Sequence, residues 1–318
     1  MIKNQRRLYR APAFFIAAAL VFGLIPAGPA SASAVDPDTL ATPGVHDELN
    51  EAIEALKEHI ESLEKIIRLN VPRADKIPVL LYHHLVSENE MTAAQRQNDM
   101  IISVELFSEH MKYLYDNNYY TASMYEFELY INGKMILPER TVVITFDDGY
   151  RSNTRFAYPI LKKYDFKASI FLITSTIGEK ENVIEKAGWN DLKKCGDVFS
   201  YHSHSHQLHT QQRDGRSAFI TSGAAVVTDD LLISKALLST SYLAYPYGQT
   251  NRSVRRAMID AGFRMGFTTV ADYAGRKVNP YEIPRFTITP NIDIESFGII
   301  CSGLADGAPA ESEDTPAA

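Results

Sequence analysis

Two acids and a run of histidines are the residues of this chain whose types and spacing could do chemistry. Asp147 and Asp148 stand together at the end of the apolar run Val142-Val143-Ile144-Thr145-Phe146 and are followed at once by Gly149. Residues 200–209 hold four of the nine histidines, His202, His204, His206 and His209. Adjacent carboxylates at the end of a buried strand serve little structural purpose. Imidazole and carboxylate together are the ligands that Zn²⁺ takes in open catalytic sites. With one acid as ligand, the other is free to accept a proton from a metal-activated water, which is hydrolytic chemistry. A lone histidine is more often structural, but four within eight positions beside an Asp-Asp loop reverse that expectation.

Such residues need a frame. From Ile77 onward, strand-like apolar runs alternate with helix-periodic segments: Ile77–Tyr82 and a helix near Leu106–Asn117, then Val142–Thr145 and a helix near Asn153–Lys163. The alternation goes on through Ala168–Thr174, Val198–His202, Tyr242–Tyr245, Met265–Thr269 and Phe286–Thr289. This pattern predicts parallel strands joined by crossovers, with a site at their C-terminal ends. The stretch Val71 to Ile300, about 230 residues, suits one (β/α) barrel of seven or eight units, with a doubly wound open sheet as the alternative. If the fourth strand ran on through the histidines, His202, His204 and His206 would share one side.

The rest of the chain sets bounds. Lys3, Arg6, Arg7 and Arg10 precede an apolar stretch from Ala11 to Ala27 and then small residues, so residues 1–34 read as a signal peptide and the protein as secreted or cell-envelope-associated. Residues 35–70 read as a linker and an amphipathic helix. Within it Leu49, Ile53, Leu56, Ile60, Leu63 and Ile67 form a heptad seam over residues 46–69, which either makes a dimer or packs on the following domain. Residues 301–318 read as a disordered tail. A net charge of −7 without a basic cluster past the N-terminus argues against nucleic acid, and no Gly-rich phosphate loop is present. Cys195 and Cys301 are too few to form a disulfide scaffold.

Thr145-Phe146-Asp147-Asp148-Gly149 and the His-Ser-rich motif resemble the polysaccharide deacetylase family, carbohydrate esterase family 4. The resemblance extends in order through Pro78–His84, Leu137-Pro138, Lys167–Leu172, Gly188–Leu192, Ala244–Gly248 and Ile283–Arg285, nearly all of residues 71–300. It implies a distorted (β/α)7 barrel, here with an N-terminal helical extension, and a hydrolase removing N-acetyl groups from an N-acetylglucosamine polysaccharide. An O-acetyl (xylan-type) esterase and an inactive carbohydrate-binding relative are the alternatives. By resemblance Asp147 is the general base, Asp148 a ligand of a divalent metal, most simply Zn²⁺, and the Tyr247 backbone N–H an oxyanion donor. For the histidine ligands, a spacing of four gives His202 and His206, and the exported exopolysaccharide deacetylase pattern gives His204 and His209. The second pair is preferred because Leu208 and Ser203 fall where that pattern expects them. Two family features are missing: no histidine follows His209, leaving the general acid unassigned, with Asp147, His202 and His206 as options. No arginine precedes Pro246-Tyr247-Gly248 to orient Asp147; Arg285 is either its replacement or a structural ion-pair partner. Trp189 is either a buried anchor or a sugar-contacting surface.

Overall fold

The computed structural model describes residues 72–181 and 184–305. The expected signal peptide, the 46–69 helix and residues 306–318 of the expected tail lie outside the described residues. In chain order the principal elements are β1 (Val79–Tyr82), α1 (Val104–Asp116), α2 (Met124–Ile131), β2 (Thr141–Phe146), α3 (Tyr158–Lys163), β3 (Ala168–Leu172), α4 (Trp189–Lys194), β4 (Phe199–Ser203), α5 (Ala224–Leu238), β5 (Tyr242–Ala244), α6 (Arg252–Asp260), β6 (Met265–Phe267), β7 (Phe286–Thr287) and α7 (Ile294–Cys301).

The seven strands pair in the order β6-β5-β4-β3-β2-β1-β7, all parallel. Phe267 at the end of β6 also bridges to Ile283, just ahead of β7, so the curled sheet closes toward its other edge. This is the half-barrel of a distorted (β/α)7 fold rather than an open doubly wound sheet.

Strand character follows from burial on both faces, which calls for continuous apolar runs rather than alternation. All six residues of β2 and all four of β1 are buried. Helix α1 shows the complementary pattern: Phe107, His110, Met111 and Leu114 form its buried stripe, and the Ser103 side chain caps its N-terminus by accepting from the Leu106 N–H.

The helix expected near Asn153–Lys163 is present, with a π turn at Asn153–Ala157 because Pro159 lacks the N–H that an α-helix would direct at the carbonyl four residues back. One expectation needs correction. The expected tail starts too early: α7 carries Phe297, Ile300 and Cys301 into the core, and the Ala305 N–H donates to the Tyr273 hydroxyl over 2.9 Å. Cys195 and Cys301 are separate buried thiols.

Candidate active site

The Asp-Asp pair sits where β2 gives way to its loop. Adjacent strand residues point to opposite faces, so a regular strand would separate the two carboxylates. Asp148 avoids this by turning into the left-handed region at φ 69°, and Gly149 follows at φ 68°. A non-glycine residue there costs roughly 1–2 kcal/mol, a strain typical of functional loops. At Gly149 a Cβ would lie 2.6 Å from Leu172 Cδ2, so glycine is required twice over. The result is convergence: His204 Nε2 lies 3.8 Å from Asp147 Oδ2 and 3.6 Å from Asp148 Oδ1.

The histidine run does not continue as a strand. β4 ends at Ser203, and Ser205 takes φ 69°, so alternation fails and the three even-numbered histidines part company. His202 lies buried between Ser200 Oγ and Thr240 Oγ1, each 2.9 Å from a ring nitrogen. His206 Nδ1 meets Thr174 Oγ1 at 2.9 Å. His204 and His209 instead face Asp148. Their Nε2 atoms are 3.0 Å apart, and His209 Nε2 is 3.4 Å from Asp148 Oδ1.

Four observations fit Asp148, His204 and His209 to a divalent metal. Ligands held at about 2.0–2.2 Å around a tetrahedral ion stand about 3.3–3.6 Å from one another, close to the separations just given. His204 Nδ1 lies 2.8 Å from the Ala244 carbonyl, which can only accept; Nδ1 therefore carries the proton and Nε2 turns a lone pair to the site. Asp148 Oδ1 is buried with no hydrogen-bond partner among the described residues, an acceptor without a donor. Burial and the neighbouring His204 push the His209 imidazole down to about 4, which keeps it neutral and able to ligate.

Asp147 is held differently. Arg285, fully buried, gives its carboxylate two parallel hydrogen bonds of 2.7 Å, one to each oxygen, and donates from Nε to the Thr268 carbonyl at 2.8 Å. Burial alone would raise the Asp147 carboxyl; the Arg285 guanidinium, with His204 and His83, more than reverses it, so the group stays below the usual carboxylate range. Both readings of Arg285 hold here: it is an ion-pair partner, and its partner is Asp147.

Further residues border the site: Tyr150 and Lys186 are the ones sequence reasoning passed over, whereas His83 and His84, at the end of the first strand, are expected to part, one facing the mouth and the other packing. His83 lies within electrostatic reach of Asp147, Asp148, Arg285 and His204, with its carbonyl held by Asn153 Nδ2 at 2.8 Å. Tyr150 hydrogen-bonds the Asp148 carboxylate, and its ring lies 3.9 Å below Lys186 Nζ. Tyr150 directly follows the Asp-Asp-Gly turn, a signal that could have found it. Tyr247 adopts φ 58° in the turn after β5, 40% exposed, its ring centroid 4.7 Å from that of His209. Trp189 is 50% exposed at the start of α4, so it is not a buried anchor.

A parallel half-barrel with paired acids and a His-His-Asp cluster at the strand ends defines a class, and comparison identifies it. The polysaccharide deacetylase family model matches residues 134–266. YxkH of Bacillus subtilis (strain 168), assigned to the polysaccharide deacetylases, is 31% identical over 227 residues, covering 70% of this chain and 75% of its own. The chain belongs to the polysaccharide deacetylase family, carbohydrate esterase family 4, and is a deacetylase hydrolase.

Among particular relatives, the poly-beta-1,6-N-acetyl-D-glucosamine N-deacetylase of Staphylococcus aureus (strain N315) is 30% identical over 198 residues, 59% of this chain and 68% of its own. The Streptococcus pyogenes deacetylase PplD superposes with a TM-score of 0.63 at 26% identity, covering 71% of this chain and 98% of PplD. IcaB from Ammonifex degensii shares the fold, with a TM-score of 0.64 at 24% identity over 74% of this chain and 100% of IcaB.

Proposed function

We propose that this protein is an exported, zinc-dependent N-deacetylase of an N-acetylglucosamine polysaccharide, an exopolysaccharide or peptidoglycan. The observation that carries the reading is the division of labour at one locus: Asp148, His204 and His209 converge as a donor set, while Asp147 stands beside them on a buried arginine. The substrate class draws on the Staphylococcus aureus relative, and export on the basic-then-apolar pattern of residues 1–34.

A divalent ion held by the triad would supply Lewis acidity and lower the pKa of a bound water toward about 7. Asp147 is kept ionised by Arg285 and takes the proton as water adds to the acetamide carbonyl. The backbone N–H of Tyr247 steadies the charge growing on the carbonyl oxygen. The proton taken by Asp147 passes to the departing amine through His83, an imidazole that burial keeps neutral and able to accept it, in reach of both carboxylates, whereas His202 and His206 are engaged by Ser200, Thr240 and Thr174. Beside Tyr247 a cavity of about 780 Å³, bordered by Gln249, Thr268, Asp272 and Glu282, offers polar room for neighbouring sugars.

The test is metal content together with acetate release from N-acetylglucosamine oligomers, peptidoglycan and acetylated xylan, with chelated protein as control. Release from the amino-sugar substrates alone, lost on chelation and restored by zinc, is the expected result. Asp147→Asn should abolish release and keep the metal. Loss of metal together with activity in that variant overturns the division between base and ligand.

A further inference from the structure

The loop between the two histidine ligands is four residues long, and its backbone is held by a side chain outside the site. Asp230, on the buried face of α5 and 6% exposed, accepts three successive backbone N–H groups: His206 at 2.7 Å to Oδ1, and Gln207 at 2.6 Å and Leu208 at 3.2 Å to Oδ2. One turn further along α5, Ser234 Oγ meets Ser203 Oγ at 2.7 Å, and Ser203 Oγ in turn accepts the Ser205 N–H at 3.1 Å. The opposite side of the loop is also fixed, because the Thr174 and Ser175 N–H groups donate to the carbonyls of Ser205 and His206 at 3.1 and 3.2 Å.

Four residues with three consecutive donors spent on one carboxylate have little freedom left. The strained φ of Ser205 and the 3.0 Å approach of the His204 and His209 rings both need outside support, since a relaxed loop would let the imidazoles part. A carboxylate suits this task and an amide does not. Asn presents one acceptor oxygen, and its NH₂ would face backbone N–H groups.

We propose that Asp230 is a positioning residue that presets the spacing of His204 and His209, so that metal affinity depends on a helix touching neither metal nor substrate. The inference rests on the metal-site reading above.

The test measures zinc affinity by competition with a chromophoric chelator, and melting of the metal-free protein, for wild type, Asp230→Asn and Leu231→Ala. Leu231 is the fully buried neighbour on the same helix, in the apolar cluster against which Leu208 packs, so its truncation destabilises while leaving the carboxylate clamp in place. Asp230→Asn is expected to weaken zinc binding on the order of 10–100-fold, as loss of supporting partners does at metal sites, with turnover recovering as zinc is raised. Leu231→Ala is expected to melt lower and bind zinc as wild type does. Wild-type affinity in Asp230→Asn, or an equal loss in Leu231→Ala, overturns the inference. Should Asp230→Asn not fold, Ser234→Ala breaks the same clamp more gently; unchanged affinity there is equally fatal. Absence of zinc uptake by the wild type removes the proposed function and the inference with it, whereas wild-type uptake with an unaffected variant removes the inference alone.

Discussion

Replacing Arg285 with methionine keeps most of its apolar bulk and removes its charge. Arg285 is 0% and Asp147 2% exposed, so no solvent screens their pair and none replaces the arginine. Removing one partner of such a pair costs about 3–5 kcal/mol, because the remaining charge is buried and uncompensated. In a domain of this size that is a fall in Tm of roughly 6–20 °C. The cost depends on pH, with a definite sign. In the wild type the folded Asp147 pKa lies below its ordinary 3.8, so the stabilisation is present above that value and fades as pH falls through the depressed one. In Arg285→Met the same carboxyl is buried without a cation and its pKa rises above 3.8, so the variant folds best when it binds a proton. The gap between variant and wild type is therefore wide at neutral pH and narrows in acid. Urea unfolding of both proteins from about pH 7.5 down to about pH 5 measures it. The acid limb of acetate release should move to higher pH in step. A loss under about 1 kcal/mol, or a gap independent of pH, refutes the argument, since neither fits a buried ion pair.

Two further outcomes are expected. His83→Gln should lower kcat by on the order of 10²–10⁴-fold with KM and zinc content unchanged, the size of a lost proton donor; undiminished turnover, or loss of zinc, removes His83 from that role. His202, pushed down by burial to about 3 from 6.5, contributes stability that is full above pH 6.5 and is lost as pH falls toward 3. Across that window it adds up to about 1.4 kcal/mol per pH unit to the slope of stability, so His202→Gln should flatten that slope by about one proton, and an unchanged slope counts against the buried neutral imidazole.

Legibility in the sequence followed the range of the interactions involved. β1, β2 and β3 show in the chain because strands buried on both faces must be continuous apolar runs. Asp147 and Asp148 show because they are neighbours at the end of one. The side on which each histidine falls does not show: alternation grouped His202, His204 and His206, and the end of β4 at Ser203 together with the left-handed Ser205 undid the grouping. His83 and His84 are indistinguishable as a pair of letters, yet His84 packs on Tyr150 and Ser152 while His83 reaches the acids. Arg285 meets Asp147 across 138 residues, a separation to which no local period corresponds. Asp230 was hidden for another reason: α5 carries apolar residues all round, with Val226, Leu232, Ile233 and Leu237 outside, so its pattern marks no inner face for an acid to break.

The placement of Arg285 has a consequence for how the protein comes to life. It stands immediately before β7, the last strand of the sheet, and β7 docks against β1, the first. The donor triad is complete by His209, yet its acid neighbour acquires the Arg285 counter-charge only when β7 returns to β1. A chain that stops short of β7 thus carries the whole donor triad and still lacks the guanidinium that holds Asp147 ionised. Closure of the sheet and completion of the acid's ion pair are in this sense one event: Arg285 meets Asp147 as β7 meets β1.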